Sequence, residues 1–197
     1  VKEILYPHEI TEGGRGAVDL SLYPKAARYL ERHRDTLEAR TYVIEAGRRW
    51  YELWVPQDPS AWSAPKLVFP YISDKPIFWI DTDGGVVNGE CYWLRCDNSD
   101  EHDLLWLALA VANSTFIEIF YDHRFNNKLY AGRRRFITQY VEQFPLPDPD
   151  RDEAKAIIAI AKKIYSKLPS AEADCLAEEL DALVWSVFGL LRKEITR

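Results

Sequence analysis

The chain has 197 residues, 47% of them apolar, with seven tryptophans and eleven tyrosines, which suits a folded protein with a substantial core and excludes a disordered one. A net charge of −6 argues against an all-over coating of nucleic acid or membrane, but not against a local basic patch. The longest apolar run, Leu104 to Ala112, is about half of what a bilayer span needs. Three cysteines, Cys91, Cys96 and Cys175, offer no disulfide framework, and no signal peptide opens the chain. A soluble protein of a reducing, cytoplasmic setting is expected, with no membrane partner. The chain starts at Val1 without an initiator and contains no methionine, so a piece of a longer protein is expected.

In chain order, a glycine turn in "TEGGRGAVDLSLYP" precedes Pro24, which opens a predicted helix through about Arg40. Tyr29, Leu30, His33 and Leu37 form its apolar stripe, and Arg28, Arg32, Arg34 and Arg40 decorate the rest. From Thr41 to about Arg95 the texture is β. The aromatic and β-branched runs "RRWYELWVP", "KLVFPYIS", "PIFWIDTDGG" and "ECYWLRC" are predicted strands, with "DTDGG" as a hairpin turn. Asp103 then caps an apolar helix from Leu104 to about Phe120, hydrophobic nearly all round and so a central core helix. After a basic loop, "RFITQYVEQF" reads as a strand or extended segment.

The connector "PLPDPDRD" is the expected boundary. Two amphipathic helices follow it, one with Ile157, Ile158, Ala161, Ile164 and Leu168 on a face, the other with Leu176, Leu180, Leu183, Val184, Val187 and Leu191. The prediction is an α+β fold: a mixed or antiparallel sheet with a central apolar helix, then a C-terminal helical pair. It divides into residues 1–147 and a helical segment 148–197.

Several chemistries can be set aside. "DTDGGVVNGECY" begins like a calcium loop, but Gly84 falls too early and Tyr92 stands where a bidentate carboxylate is needed. Cys91 and Cys96 have no second pair to complete a zinc site, and His8, His33, His102 and His123 show no ligand spacing. "GGRG" lacks the Gly-Lys-Ser/Thr of a phosphate-binding P-loop. "PDPDRDEAK" places its carboxylates in one connector and helix start, where helix-capping acids explain them. Neither catalytic nor metal-ligating residues are assigned, and no cofactor is expected in this chain.

The feature left over is "HRFNNKLYAGRRR". From Arg124 to Arg135 the chain carries five basic residues and no acidic one. Lys and Arg bind phosphate oxygens, while Arg and Asn also pair bidentately with purine edges. Asn126 and Asn127 suit adenine; Arg124 and one of Arg133, Arg134 or Arg135 suit guanine, and Lys128 and the remaining charges suit the backbone. The "GGRG" turn adds Arg15 as a weaker candidate, and the predicted hairpin loops add Lys75 and Asn88. A solvated basic loop of no particular use has the same composition.

The order of elements carries more than the composition. "PKAARYLERHRDTLEAR", a Trp-containing run, Lys66 before the apolar strand "LVFPYIS", "LLWLALAVANS" with Asn113 and Ser114, a basic loop and "QYVEQFPLP" follow one another. This series resembles the C-terminal region of adenine-N6 DNA methyltransferases with a TaqI-like specificity domain. "LDALVWSVFGL", with Asp181, Val184, Phe188 and Gly189, is similar to the ending of the larger restriction-modification enzymes. The resemblance implies a DNA target-recognition domain and adds Lys66 to the candidates. The Asn/Asp-Pro-Pro-aromatic motif that holds the target adenine is missing. The catalytic domain, with its S-adenosylmethionine, is therefore expected elsewhere, in cis or as a partner subunit, and double-stranded DNA is the expected ligand. The alternative is an interaction module that docks a methyltransferase subunit through the two terminal helices.

Overall fold

The computed structural model describes residues 3–87, 89–96, 98, 102–126 and 128–191. They divide into two compact units, Val1–Trp62 and Ser63–Arg197.

In the first unit, β1 (His8–Thr11) pairs antiparallel with β2 (Gly14–Ala17) around a tight turn in which Gly14 takes φ 112°, a conformation open to glycine. The predicted helix from Pro24 to about Arg40 is two pieces, α1 (Pro24–Glu31) and α2 (Arg34–Glu38). The last turn of α1 tightens to a bond from His33 N to Leu30 O, and the chain restarts at Arg34. A short α3 (Thr41–Glu45) follows. The strand predicted in "RRWYELWVP" does not form. Arginine side chains meet its carbonyls where a neighbouring strand would have: Arg40 donates to Trp50 O at 2.7 Å, and Arg48 to Leu53 O and Trp54 O at 2.7 and 2.6 Å. His8 is buried, and its Nε2 accepts from Leu53 N at 3.2 Å; burial holds its pKa below the ordinary value despite Glu52 nearby. It is a packing histidine.

The second unit is built on β3 (Lys66–Pro70), flanked antiparallel by β5 (Trp79–Asp81) on one side and β6 (Cys91–Leu94) on the other. β5 and β6 therefore do not form the hairpin that "DTDGG" suggested. The tight turn itself is present: Asp81 accepts from Asp83 N at 3.1 Å, and Gly84 takes φ 75°. A separate short pair joins β4 (Ile72–Ser73) to β7 (Arg134–Arg135).

The predicted apolar helix from Leu104 to Phe120 is α4 (His102–Ala112) and α5 (Thr115–Phe125), bent by 77°. The break is fixed by side chains. Ser114 Oγ accepts from Ile117 N at 3.2 Å, capping α5, while the Asn113 amide both donates to Phe78 O and accepts from Phe78 N at 2.9 Å. Asp103 lies inside the first turn of α4, paired with Lys162, rather than ahead of it as a cap. The segment 135–144, predicted as strand or extended, pairs only through its first residues and turns into the short helix α6 (Thr138–Val141) at its centre.

The terminal helices α7 (Asp152–Lys167) and α8 (Ala171–Val187) lay Ile157, Ile158, Leu180, Val184 and Trp185 against Leu107 and Val111 of α4 and Ile117 of α5. The other side of α4 places Leu105 and Leu109 against Leu67, Phe69 and Ile80 of the sheet. Each such side chain, fully buried, contributes about 1.5–3 kcal/mol. This two-sided burial is why α4 is apolar nearly all round. Compact-unit division thus falls after Trp62, and the connector at 145–150 joins helices to their own core. Leu168 and Leu191, predicted on the apolar faces, are exposed. Among the described residues no single helix is long and apolar enough to cross a membrane.

Candidate nucleic-acid interface

The basic segment is a closed turn rather than an open loop. α5 ends at Asn126, whose left-handed backbone (φ 44°, ψ 35°) terminates the helix as asparagine readily does. Lys128 and Arg134 then face each other in an antiparallel bridge, and Leu129 N donates to Arg133 O at 2.6 Å. The chain reverses through Tyr130–Gly132, with Ala131 at φ 55° and Gly132 at φ 74°. Ala131 is held in a region unfavourable to a side chain, strain of a kind that clusters at working sites.

Arg134 holds this turn to the unit. It is buried, and its Nε and Nη2 donate to the two carboxylate oxygens of Asp122 at 2.7 and 2.8 Å. Nη2 also reaches Glu118 at 2.9 Å, and Nη1 donates to the Asp74 carbonyl. Lys128 Nζ lies 2.8 Å from Asp122. Burial pushes the Asp122 carboxyl up, but the hydrogen bonds from Arg134 and Lys128 outweigh it and hold its pKa below the ordinary value. Both acids sit on α5, just before the segment. The candidate Arg134 therefore faces inward as a positioning residue, because a forked guanidinium matches a carboxylate in this geometry.

Arg135 points to the other side of β7. Its half-buried guanidinium has its central carbon 5.2 Å from the centre of the Tyr71 ring, and its Nε is buried with no hydrogen-bond partner among the described residues. The backbone beneath is fixed by Phe136 N donating to Tyr71 O at 2.8 Å and by Tyr121 OH donating to Arg135 O at 2.5 Å. Burial, reinforced by Tyr140, pushes the Tyr121 hydroxyl up to about 12, so it remains a donor. Tyr92 packs edge-on against Tyr71 with centroids 5.7 Å apart. An arginine stacked on an aromatic ring, its guanidinium bonded to no other described side chain, suits a planar acceptor pair such as a guanine edge at its terminal nitrogens. Sequence reasoning named Arg135 but missed Tyr71, although "FPYIS" displayed an aromatic at the end of a strand.

The other candidates divide. Arg133 and Lys75 are exposed, and their side chains have no hydrogen bond or ion pair among the described residues. Lys75 follows Asp74, whose carbonyl Arg134 grips, so the two lysine- and arginine-bearing turns are tied together. Arg124 is exposed, 3.4 Å from Gln143 and over the Phe125 ring. Arg15 lies in the first unit and donates to Pro56 O at 2.9 Å. Lys66 is fully buried, with Nζ 2.6 Å from Asp81, and supports the turn after β5. Asn126 is exposed, and its helix-ending backbone is reason enough for its identity. Asn88 and Asn127 lie outside the described residues. Among those residues no group of three or more His, Cys, Asp or Glu is placed to hold a metal.

An α+β unit of an acidic chain that carries on one tied-down turn arginines without an acid partner among the described residues has the build of a recognition domain. The sequence comparisons agree. The chain belongs to the family of TaqI-like C-terminal specificity domains, whose profile matches residues 16–146. It is 40% identical over 192 residues to the Type II methyltransferase M.BanIII of Aneurinibacillus aneurinilyticus, covering 97% of this chain and 33% of that protein. It is 28% identical over 134 residues to the Type II methyltransferase M.PaeR7I of Pseudomonas aeruginosa, covering 67% of this chain and 22% of that protein. The chain thus spans a third or less of the length of these curated relatives.

Proposed function

We propose that this chain reads a short DNA sequence and positions the duplex for a linked adenine-N6 DNA methyltransferase, in the cytoplasm. The observation that carries the reading is the Arg135 guanidinium resting on Tyr71, bonded to no other described side chain, beside two tied turns that expose Arg133 and Lys75. On this reading Arg135 reads a purine edge, Arg133, Lys75 and Arg124 meet phosphates, and Arg134 holds the turn. The target adenine is flipped and methylated in the remaining portion of the enzyme, which binds S-adenosylmethionine. No residue of this chain is assigned to that cofactor.

The second reading, a docking module for a methyltransferase subunit, has one observation in its favour. An apolar cleft of about 240 Å³ opens among β5, α4, α7 and α8, with Trp79 and Leu168 exposed beside it. Against it, the apolar faces of α7 and α8 are largely buried in their own core.

Binding of the chain to a random-sequence duplex pool at low and high salt, with sequencing of the bound fraction, separates the two. DNA recognition predicts salt-sensitive binding that enriches a short motif. Absence of binding at low salt would leave the docking module.

A further inference from the structure

The first unit carries a second cationic surface, on a helix to which no DNA-reading role has been given. Lys25, Arg28 and Arg32 lie three and four residues apart along α1 and its C-cap, so they share one face, and all three are exposed. Together with Tyr29 they wall a shallow recess of about 190 Å³. None of the three has a hydrogen bond or ion pair among the described residues. Every other described arginine of this unit has one. Arg34 is bridged by Glu31 and Glu38, Arg40 and Arg48 hold backbone carbonyls, Arg49 bonds the Tyr51 hydroxyl, and Arg15 bonds Pro56 O.

Like charges three and four residues apart weaken an isolated helix, and a nearby acid is the usual remedy. Glu31, the acid within α1, is turned to Arg34 instead. The face therefore keeps its repulsion and lacks its counter-charge. From Lys25 to Arg32 the helix rises about 10 Å. Phosphates on one DNA strand succeed each other every 3.4 Å or so along the axis, so the stripe matches about three successive steps.

We infer that the Lys25, Arg28 and Arg32 face of α1 is a sequence-independent clamp on the DNA phosphate backbone. This rests on the DNA-reading proposal and adds to it a contact that supplies affinity without selectivity. Leu22 and Tyr23, exposed just ahead of the helix, would also suit an anionic lipid surface, so the test includes one.

The experiment compares the parent chain with the Lys25→Gln/Arg28→Gln/Arg32→Gln variant and with Arg34→Gln, using duplex binding over a salt series. The triple variant is expected to bind with a log-affinity versus log-salt slope shallower by about 2–3, with the same enriched motif. Arg34→Gln is expected to keep the parent's slope. An unchanged slope in the triple variant overturns the clamp, as does a changed motif, and so does binding of the parent to phosphatidylserine vesicles that the triple variant loses while duplex binding persists. Should the triple variant fail to fold, Arg32→Gln alone is expected to lower the slope by about 1. A parent that binds no duplex at low salt refutes the DNA reading itself, an outcome distinct from the clamp's failure.

Discussion

Helix α1 and the segment from Arg124 to Arg135 are both basic, yet their charges do different work. In the segment, Arg134 and Lys128 are taken up by Asp122, with Glu118 assisting on Arg134; Arg134 becomes a buried tie, and Lys128 is paired at the surface. On α1 the three cations of one face meet no acid among the described residues. The segment looked the richer site because its acids lie a few residues outside it, on the preceding helix. A count of charge in a window thus overstates what is available to a ligand; availability depends on which acids the fold returns to it.

The sharpest way to break this contrast is Arg134→Ala. Removing it leaves Asp122 and Glu118 without their partner and frees the Asp74 turn. The expected loss is about 3 kcal/mol of folding stability in urea denaturation, because a buried charge pair is costly to halve. A loss under about 0.5 kcal/mol, as for an ordinary surface residue, would contradict the inward assignment. Next is Asp181→Ala. Asp181 accepts from Thr115 N and Oγ1, each at 2.7 Å, so its removal should cost about 1–3 kcal/mol by the same assay.

Smaller effects sharpen the outward side. Arg133→Ala should leave stability within about 0.5 kcal/mol, weaken all duplexes alike and lower the salt slope by about 1. The Arg134 tie should also fade with acid. Asp122 titrates below its ordinary value in the folded chain, so its contribution is complete above that value and is lost as pH falls through the depressed one. The stability gap between parent and Arg134→Ala should therefore be wide at neutral pH and shrink only once the pH falls below the ordinary carboxylate value. A gap that persists undiminished would place the tie elsewhere than on Asp122.

The fold class, the central burial of α4 and the two amphipathic helices were legible because hydrophobic periodicity is a local signal. What failed was set at a distance. One apolar run became two helices because Asn113 is claimed by Phe78 and Thr115 by Asp181, sixty-six residues on. "RRWYELWVP" has strand composition, but Arg40 and Arg48 take its carbonyls. Asn113, Ser114, Asp181 and Gly189, which carried the family resemblance, prove to be joints of the fold: a backbone clasp, two helix-break ligands and a helix end at φ 71°. They announce the family through its joints. Within "RRR" the sequence could not say which arginine turns inward; strand alternation sends Arg134 to its acids and Arg135 to Tyr71.

Whether Arg135 reads a base is decided by motif enrichment from a random duplex pool, with the parent and Arg135→Ala run side by side. The parent is expected to enrich a short motif containing a guanine that the variant no longer demands, at a cost of about 1–3 kcal/mol on the parent's best site, with the other positions kept. An identical motif from both chains would contradict it.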